Sequence, residues 1–361
     1  MIEQVAIALK NQNYPTAAKL IKQLLKESPE DPWVLFYLGR LYEVTKKYKE
    51  AEKIYRQLLR NTATVKIVTV ARQGLQRLQN IQNHQREQAV SQSKTGEENS
   101  QTGVLVLEPL EKEAKTTAAQ QLAKIMQVDP YSARLILPSR GWKLYRSGAI
   151  GELKFYGEQL RNAKIPCFWA KIVDIQKIQV FQVKYFDEIF DEIKQSATVI
   201  CNNSENVRGS LSFEWKEVKQ RVQGMLPIFE EVVERDAKGK SVRKVKILDY
   251  LHFCDLHLPS RNCILRLYDN GYDYQHGVEI SYTSAQNTVR LNWNNLLKTL
   301  DKNFTDIPLW SDFKPFAETA LDQIEVLNKI ESHINLLRRE ASNWDPLFHL
   351  YSSLVFINNL N

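Results

Sequence analysis

Apolar and polar residues follow three different rhythms along this chain. Through the first eighty residues the apolar positions recur at helical spacing: Tyr14 to Glu27 reads as a helix ending before Pro29, and Val65 to Leu78, with Gly74 inside it, as another. In this region a pair of stretches repeat each other 34 residues apart. Tyr14 pairs with Tyr48, Ala17 with Ala51, Lys19 with Lys53, Gln23 with Gln57, Leu24 with Leu58 and Leu25 with Leu59. A period of about 34 residues is a unit of two antiparallel helices that stacks on its neighbours to bury its apolar face. From Gln85 to Gly103 the apolar residues almost vanish (QREQAVSQSKTGEENSQTG), which predicts a flexible linker, because so little surface can be buried there.

Beyond the linker, β-branched and aromatic runs alternate with helical stretches. Val104–Leu107 reads as a strand, Thr116–Met126 and Pro130–Leu137 as helices broken by Gly141, and Trp142–Tyr145 as a strand followed by a turn at Ser147-Gly148. Ile150–Ala163 is predicted to be a helix, Pro166–Ile172 and Ile178–Phe186 strands. Further strands are expected over Ala197–Cys201, Ser210–Trp215, Val245–Leu258 and Cys263–Tyr268. A hairpin tip is expected within Asp236–Lys240, with Gly239 supplying the positive φ. The end is helical: Val289–Leu300, Phe313 to about Ala341, and Trp344–Phe356. The expected fold class is therefore multidomain, all-α hairpins at the N-terminus followed by an α+β region. The expected boundaries are 1–84 for the repeats, 85–103 for the linker, 104–186 for a small basic α/β domain and 187–361 for an α+β domain with a helical C-terminus.

The fuller repeat copy carries Leu38, Gly39, Tyr42, Ala51, Tyr55 and Leu58, and it resembles the tetratricopeptide repeat. The first copy is degenerate in its first helix, where Gln4 and Val5 replace the leucine and glycine of the pattern. The resemblance implies stacked helical hairpins that bind another polypeptide on the inner face of each first helix. Here that face presents Trp33, Phe36, Tyr37 and Arg40, joined by Lys10. The alternative for Phe36 and Tyr37 is packing against the first repeat. The family's two-carboxylate clamp needs lysine, asparagine and arginine positions that this copy largely fills with aromatics, so a chaperone tail is not the expected ligand. The order of elements from 104 to 186, with Ala133 and Gly141, resembles the α/β domain of the ClpS adaptor and the ribosomal stalk protein's C-terminal region. The acidic pocket by which ClpS reads N-termini is not visible, and that activity is not carried over. The C-terminal half is similar to uncharacterised cyanobacterial repeat proteins.

The net charge of +7 is unevenly placed. Basic stretches at 1–90 and 114–183 flank an acidic linker and precede a mildly acidic C-terminal half. In the second basic stretch Arg134, Arg140, Lys143, Arg146, Lys154 and Arg161 lie near Trp142 and Tyr145, a mixture suited to phosphate contact with base stacking or to an acidic protein. Neither an RNA-recognition signature nor a G-x-x-G clamp accompanies it. No run of about 18 apolar residues exists to span a membrane. The N-terminus lacks a signal-peptide pattern, and the four scattered cysteines fit reduced thiols, so the expected location is cytoplasmic.

The densest set of metal-competent side chains is His252, Cys254, Asp255, His257 and Cys263. Its spacing matches no zinc pattern, and strand alternation sends His252 and Cys254 to one face, Asp255 and His257 to the other. No nucleophile elbow or phosphate-binding glycine loop occurs. The sequence thus favours a non-enzymatic adaptor without metal or cofactor, its helical stack holding a protein partner. The alternatives are a nucleic-acid-binding regulator acting through 114–183, and a small-ligand or nucleotide sensor in the α+β half.

Overall fold

The computed structural model describes residues 1–190, 195–235, 240–278, 288–304, 306–334 and 342–358. The chain divides into two compact units, Met1–Gln92 and Ser93–Asn361.

The first unit is helical: α1 (Ile2–Lys10), α2 (Tyr14–Glu27), α3 (Pro32–Val44), α4 (Tyr48–Asn61) and α5 (Val65–Ser93, the last residue of which opens the second unit). Local chemistry starts these helices. Asn13 accepts from the Thr16 amide ahead of Pro15, and Asp31 accepts from the Trp33 and Val34 amides ahead of Pro32. Each thereby satisfies amides that the first turn leaves without helical partners. Val5, Ala17, Ile21, Val34 and Leu41 pack one apolar cluster, while Ala51, Tyr55, Leu58, Ile67, Ala71 and Leu78 pack the next. The expected linker at 85–103 is helical to Ser93 and again over α6 (Glu97–Ser100), and Thr102 and Gly103 already belong to a strand. The buried residues of α5 are Ile67, Ala71, Gly74 and Leu78, so its later turns stand without a core of their own.

The second unit begins with β1 (Thr102–Leu107), α7 (Lys115–Met126), α8 (Pro130–Ile136), β2 (Lys143–Ala149), α9 (Ile150–Asn162) and β3 (Cys167–Lys171). These strands form an antiparallel sheet in the order β2-β1-β3. Ser147 and Gly148 do not turn the chain; they pair with Val104 and Gly103 inside β2. After α10 (Ile172–Gln176) come β4 (Gln179–Phe190), β5 (Ser196–Asn202), β6 (Arg208–Glu214), β7 (Gln220–Arg235), β8 (Ser241–Leu258) and β9 (Cys263–Tyr268). They are followed by α11 (Val289–Asn303), β10 (Leu309–Trp310), α12 (Phe313–Glu318), α13 (Ile324–Leu327) and α14 (Trp344–Asn358). The large sheet has the order β10-β7-β8-β9-β4-β5-β6; the pairs β10/β7 and β9/β4 are parallel and the others antiparallel. The expected tip at 236–239 lies outside the described residues.

Over the central strands both faces of this sheet are covered. On one, Cys254, Leu256, Leu265 and Leu267 meet Trp293, Leu296 and Leu300 of α11. On the other, Val222, Leu226, Leu251 and Phe253 join Phe313, Phe316, Phe348, Tyr351 and Leu354. Val104, Val106 and Phe168 of the small sheet, with Trp142 just before β2, belong to that same core. Packing therefore runs without a break across the boundary expected near 186, and β4 itself crosses it. The long helix expected from Phe313 is instead two short helices and an irregular stretch to Ile334, its 335–341 portion lying outside the described residues. Most of its apolar side chains enter one core, although Ile324 is 53% exposed, and His333 takes a φ of 51°, which ends any helical path there.

Candidate partner-binding surface

Tyr55 of α4 organises the helical unit. Its ring is fully buried between two glycines: a Cβ on Gly39 of α3 would lie 2.7 Å from Cε1, and one on Gly74 of α5 2.6 Å from Cε2. Neither position has room for a side chain beside this ring. The phenol donates a 2.7 Å hydrogen bond to Glu43 of α3. Glu43 also accepts from Arg77 Nε and Nη2 at 2.8 and 3.1 Å, and from Arg40 Nη1 at 3.0 Å. Burial by itself would raise the Glu43 pKa, but the hydrogen bonds from Arg77 and Tyr55 and the charges of both arginines outweigh it, and the carboxyl is held below its ordinary range. The carboxylate thus stays ionised inside the stack and ties α3, α4 and α5 together. Sequence reading passed over Glu43 and Arg77. The available signal was an acidic residue beside the apolar Leu38, Gly39 and Tyr42, with an arginine one repeat period later.

Trp33, Phe36 and Tyr37 lie along α3 with ring centroids 5.9, 5.3 and 6.4 Å apart, each half-buried. Tyr37 rests on the cluster of α1 and α2, as the alternative for it anticipated. Phe36 and Trp33 instead rest on the α4–α5 cluster, with Phe36 6.3 Å from Tyr55. Arg40 continues the row and keeps a third of its side chain exposed while it contacts Glu43. Lys10 is exposed at the end of α1. The structure therefore gathers Trp33, Phe36, Tyr37 and Arg40 into one half-exposed row at i, i+3, i+4 and i+7.

The basic residues of the second unit are placed differently. Arg134 is exposed on α8 and Arg140 in the loop after it, while Lys143 is half-buried and donates to the Leu135 carbonyl. Burial, with Lys115 nearby, lowers the Lys143 pKa. Arg146 forms a 2.7 Å ion pair with Glu152 and lies over the Tyr156 ring. Arg161 donates to the Cys167 carbonyl and lies over Trp169, and Lys154 sits half-buried on α9. Trp142 is buried among Phe168, Trp310 and Tyr351, so it offers no face to a base.

The His252–Cys263 group is split as alternation requires: Cys254 faces α11, whereas Asp255 and His257 face α14. Among the described residues no group of three or more His, Cys, Asp or Glu is placed to hold a metal. On the α14 side sequence reading missed a fully buried polar network. Arg266 donates to both Asp255 oxygens at 2.9 and 2.8 Å and to the Ser332 carbonyl at 2.7 Å. Gln220 Nε2 donates to the Val355 carbonyl and to His257 Nδ1, which leaves the ring proton on Nε2, pointing at Ser352 Oγ 2.9 Å away. The Ser352 proton in turn goes to Asp255, at 2.6 Å. Burial pushes the His257 pKa down to about 4, so the ring is neutral. The serine proton points to the carboxylate and the histidine donates to the serine. This is the reverse of a base-activated nucleophile.

Comparison with known protein families matches residues 8–65 to the tetratricopeptide repeat. No curated protein and no solved structure matches the chain. The likenesses to ClpS, to the stalk protein and to cyanobacterial repeat proteins therefore gain no support, and the third expected strand of the middle module, β4, lies in the large sheet rather than the small one. Among the described residues no helix is long and apolar enough to cross a membrane. The helical hairpins at the N-terminus are thus of the tetratricopeptide-repeat kind, and they precede an α+β region with a seven-stranded and a three-stranded sheet.

Proposed function

We propose that the protein works by binding rather than by catalysis: an adaptor whose row of Trp33, Phe36, Tyr37 and Arg40 receives an extended or helical segment of another polypeptide. The observation that carries this reading is the half-exposure of three contacting aromatic rings beside an arginine on a tetratricopeptide helix. Aromatics and arginine dominate the energies of protein interfaces, and the rigid Tyr55–Glu43 core holds them in place before any partner arrives. The nucleic-acid alternative is weakened because one of its two stacking residues, Trp142, lies in the core, while Tyr145 is half-buried.

Arg40 and Phe36 separate binding from stability. Arg40→Ala leaves Glu43 paired with Arg77 and Tyr55, so its stability cost should stay within about 1 kcal/mol. Partner capture should fall about thirtyfold, the equivalent of an anchor contributing about 2 kcal/mol. Phe36→Ala should reduce both capture and melting temperature, since its ring also rests near Tyr55. Capture assays run beside circular-dichroism melts decide this. Unchanged capture with Arg40→Ala, together with a pure stability loss with Phe36→Ala, would remove the row from consideration.

A further inference from the structure

Residues 331–334, in neither helix nor strand, run as a strap over the buried polar network of the second unit. Two side chains hold its backbone. Arg266 donates to the Ser332 carbonyl at 2.7 Å and Gln182 of β4 to the His333 carbonyl at 3.1 Å. Ile330 and Ile334 are buried in the core that holds Phe348 and Tyr351. Between them the His333 ring lies edge-on to that of His349 on α14, with centroids 4.7 Å apart and 14% of the His333 side chain exposed.

The surroundings of these two rings suit them only while neutral. His349 Nδ1 lies 3.5 Å from Arg266 Nη2 and 3.4 Å from the Ser353 hydroxyl. His333 Nδ1 is buried without a hydrogen-bond partner. A proton on either ring would add a second cation beside the fully buried Arg266 guanidinium, with the His257 imidazole of β8 facing His349 as well. Three carboxylates stand nearby, and none accepts a hydrogen bond from either ring. Asp255 is committed to Arg266 and Ser352. Glu331, mostly exposed, comes only to 3.8 Å from His333 Nδ1. Asp345 is buried on α14 four residues before His349. Burial first, then the Arg266 charge, lowers the His333 pKa, and the same causes hold that of His349 well below its ordinary value.

We propose that this strap is an acid-released latch: protonation of His333 sets an imidazolium against Arg266 and frees residues 331–334, while the rest of the second unit stays folded. His333 takes the proton because it alone of the three facing histidines reaches water; His257 and His349 are sealed in. The charged ring is favoured in the released strap, where it is hydrated. Docking is therefore at full strength above the ordinary imidazole pKa of about 6.5 and weakens below it, at most about tenfold per pH unit. His257, its pKa pushed down to about 4, stays neutral through the upper part of that range.

Hydroxyl-radical footprinting of the full chain, read by mass spectrometry at about pH 7.5 and about pH 5, tests the latch. Oxidation of Ile330, Ile334 and Phe348 should rise at least about threefold at the lower pH and fall back on neutralisation. Trp293, on the opposite face of the sheet, should stay protected at both. His333→Asn tolerates the left-handed backbone but cannot take the charge, so its footprint should not respond to pH. His333→Gln, longer and equally uncharged, should behave in the same way. A wild-type footprint that ignores pH, or an equal rise in both variants, would overturn the proposal. So would Trp293 becoming oxidised together with the strap, which is general acid unfolding. A strap already open at neutral pH in both variants would also overturn it, because the contact of the ring rather than its charge would then hold the strap.

Discussion

Asp255→Ala is expected to be the most damaging single substitution in the second unit, costing about 3–5 kcal/mol, of the order of a whole domain's stability. Asp255 and Arg266 are both fully buried, and the alanine would leave the guanidinium without its carboxylate in a site that water does not reach. The Ser352 hydroxyl would lose its acceptor in the same step, and with it the fixed proton order through His257 to Gln220. Because these residues bridge β7, β8, β9 and α14, the loss should appear as loosening of the C-terminal helix as well as a lower melting temperature. Hydrogen exchange across residues 344–358 beside a thermal melt would detect both. A shift of only a degree or two would mean that the network contributes little to docking the helix.

In the helical unit the largest effect is expected from Gly39→Leu, which should unfold the stack. Overpacking commonly costs about 1–3 kcal/mol, and this site lies above that range because nothing nearby can give way. The Tyr55 ring blocks the new Cβ, and the ring cannot retreat because Gly74 closes on its other edge. Its hydroxyl is also committed to Glu43. Far-UV circular dichroism of the full chain should show loss of helical signal at a temperature where the wild type is folded. Shrinking the ring in the double variant Gly39→Leu/Tyr55→Ala should recover some of it. An unchanged melt with Gly39→Leu would show that the helices separate more easily than the packing implies.

These two sites differ in how far they can be read from sequence. The Gly39 and Tyr55 positions follow from the resemblance of the fuller copy to the tetratricopeptide repeat, which implies small residues where backbones approach and a large ring to fill the gap between them. The aromatic row on α3 is legible for the same reason. Glu43 is harder, because a carboxylate at the edge of an apolar stripe reads as solvated until the arginine of a later helix is brought to it. The Asp255 network lies further from reach. Alternation correctly separates Asp255 and His257 from Cys254, but it cannot reveal that α14, far along the chain, supplies Ser352 and His349 to that face. The first half of β7 escaped notice because Gly224 and Pro227 punctuate it. A proline is tolerated there because that flank of β7 lies beyond the short β10. The helix expected after Phe313 failed for the opposite reason: apolar spacing suited a helix, yet packing most of those side chains into a single core overrode that local preference.

The central claim is that the α3 row holds a polypeptide partner, and placement of a photo-crosslinker tests it most directly. A crosslinking residue would replace Tyr37 on the row, or Lys53, exposed on α4, in otherwise identical full-length protein. Illumination in extract, with nuclease present, should attach a discrete polypeptide at position 37 and none at position 53, and Arg40→Ala in the same chain should abolish the adduct. Equal labelling at both positions, or an adduct at 37 that persists undiminished with Arg40→Ala, would contradict the account.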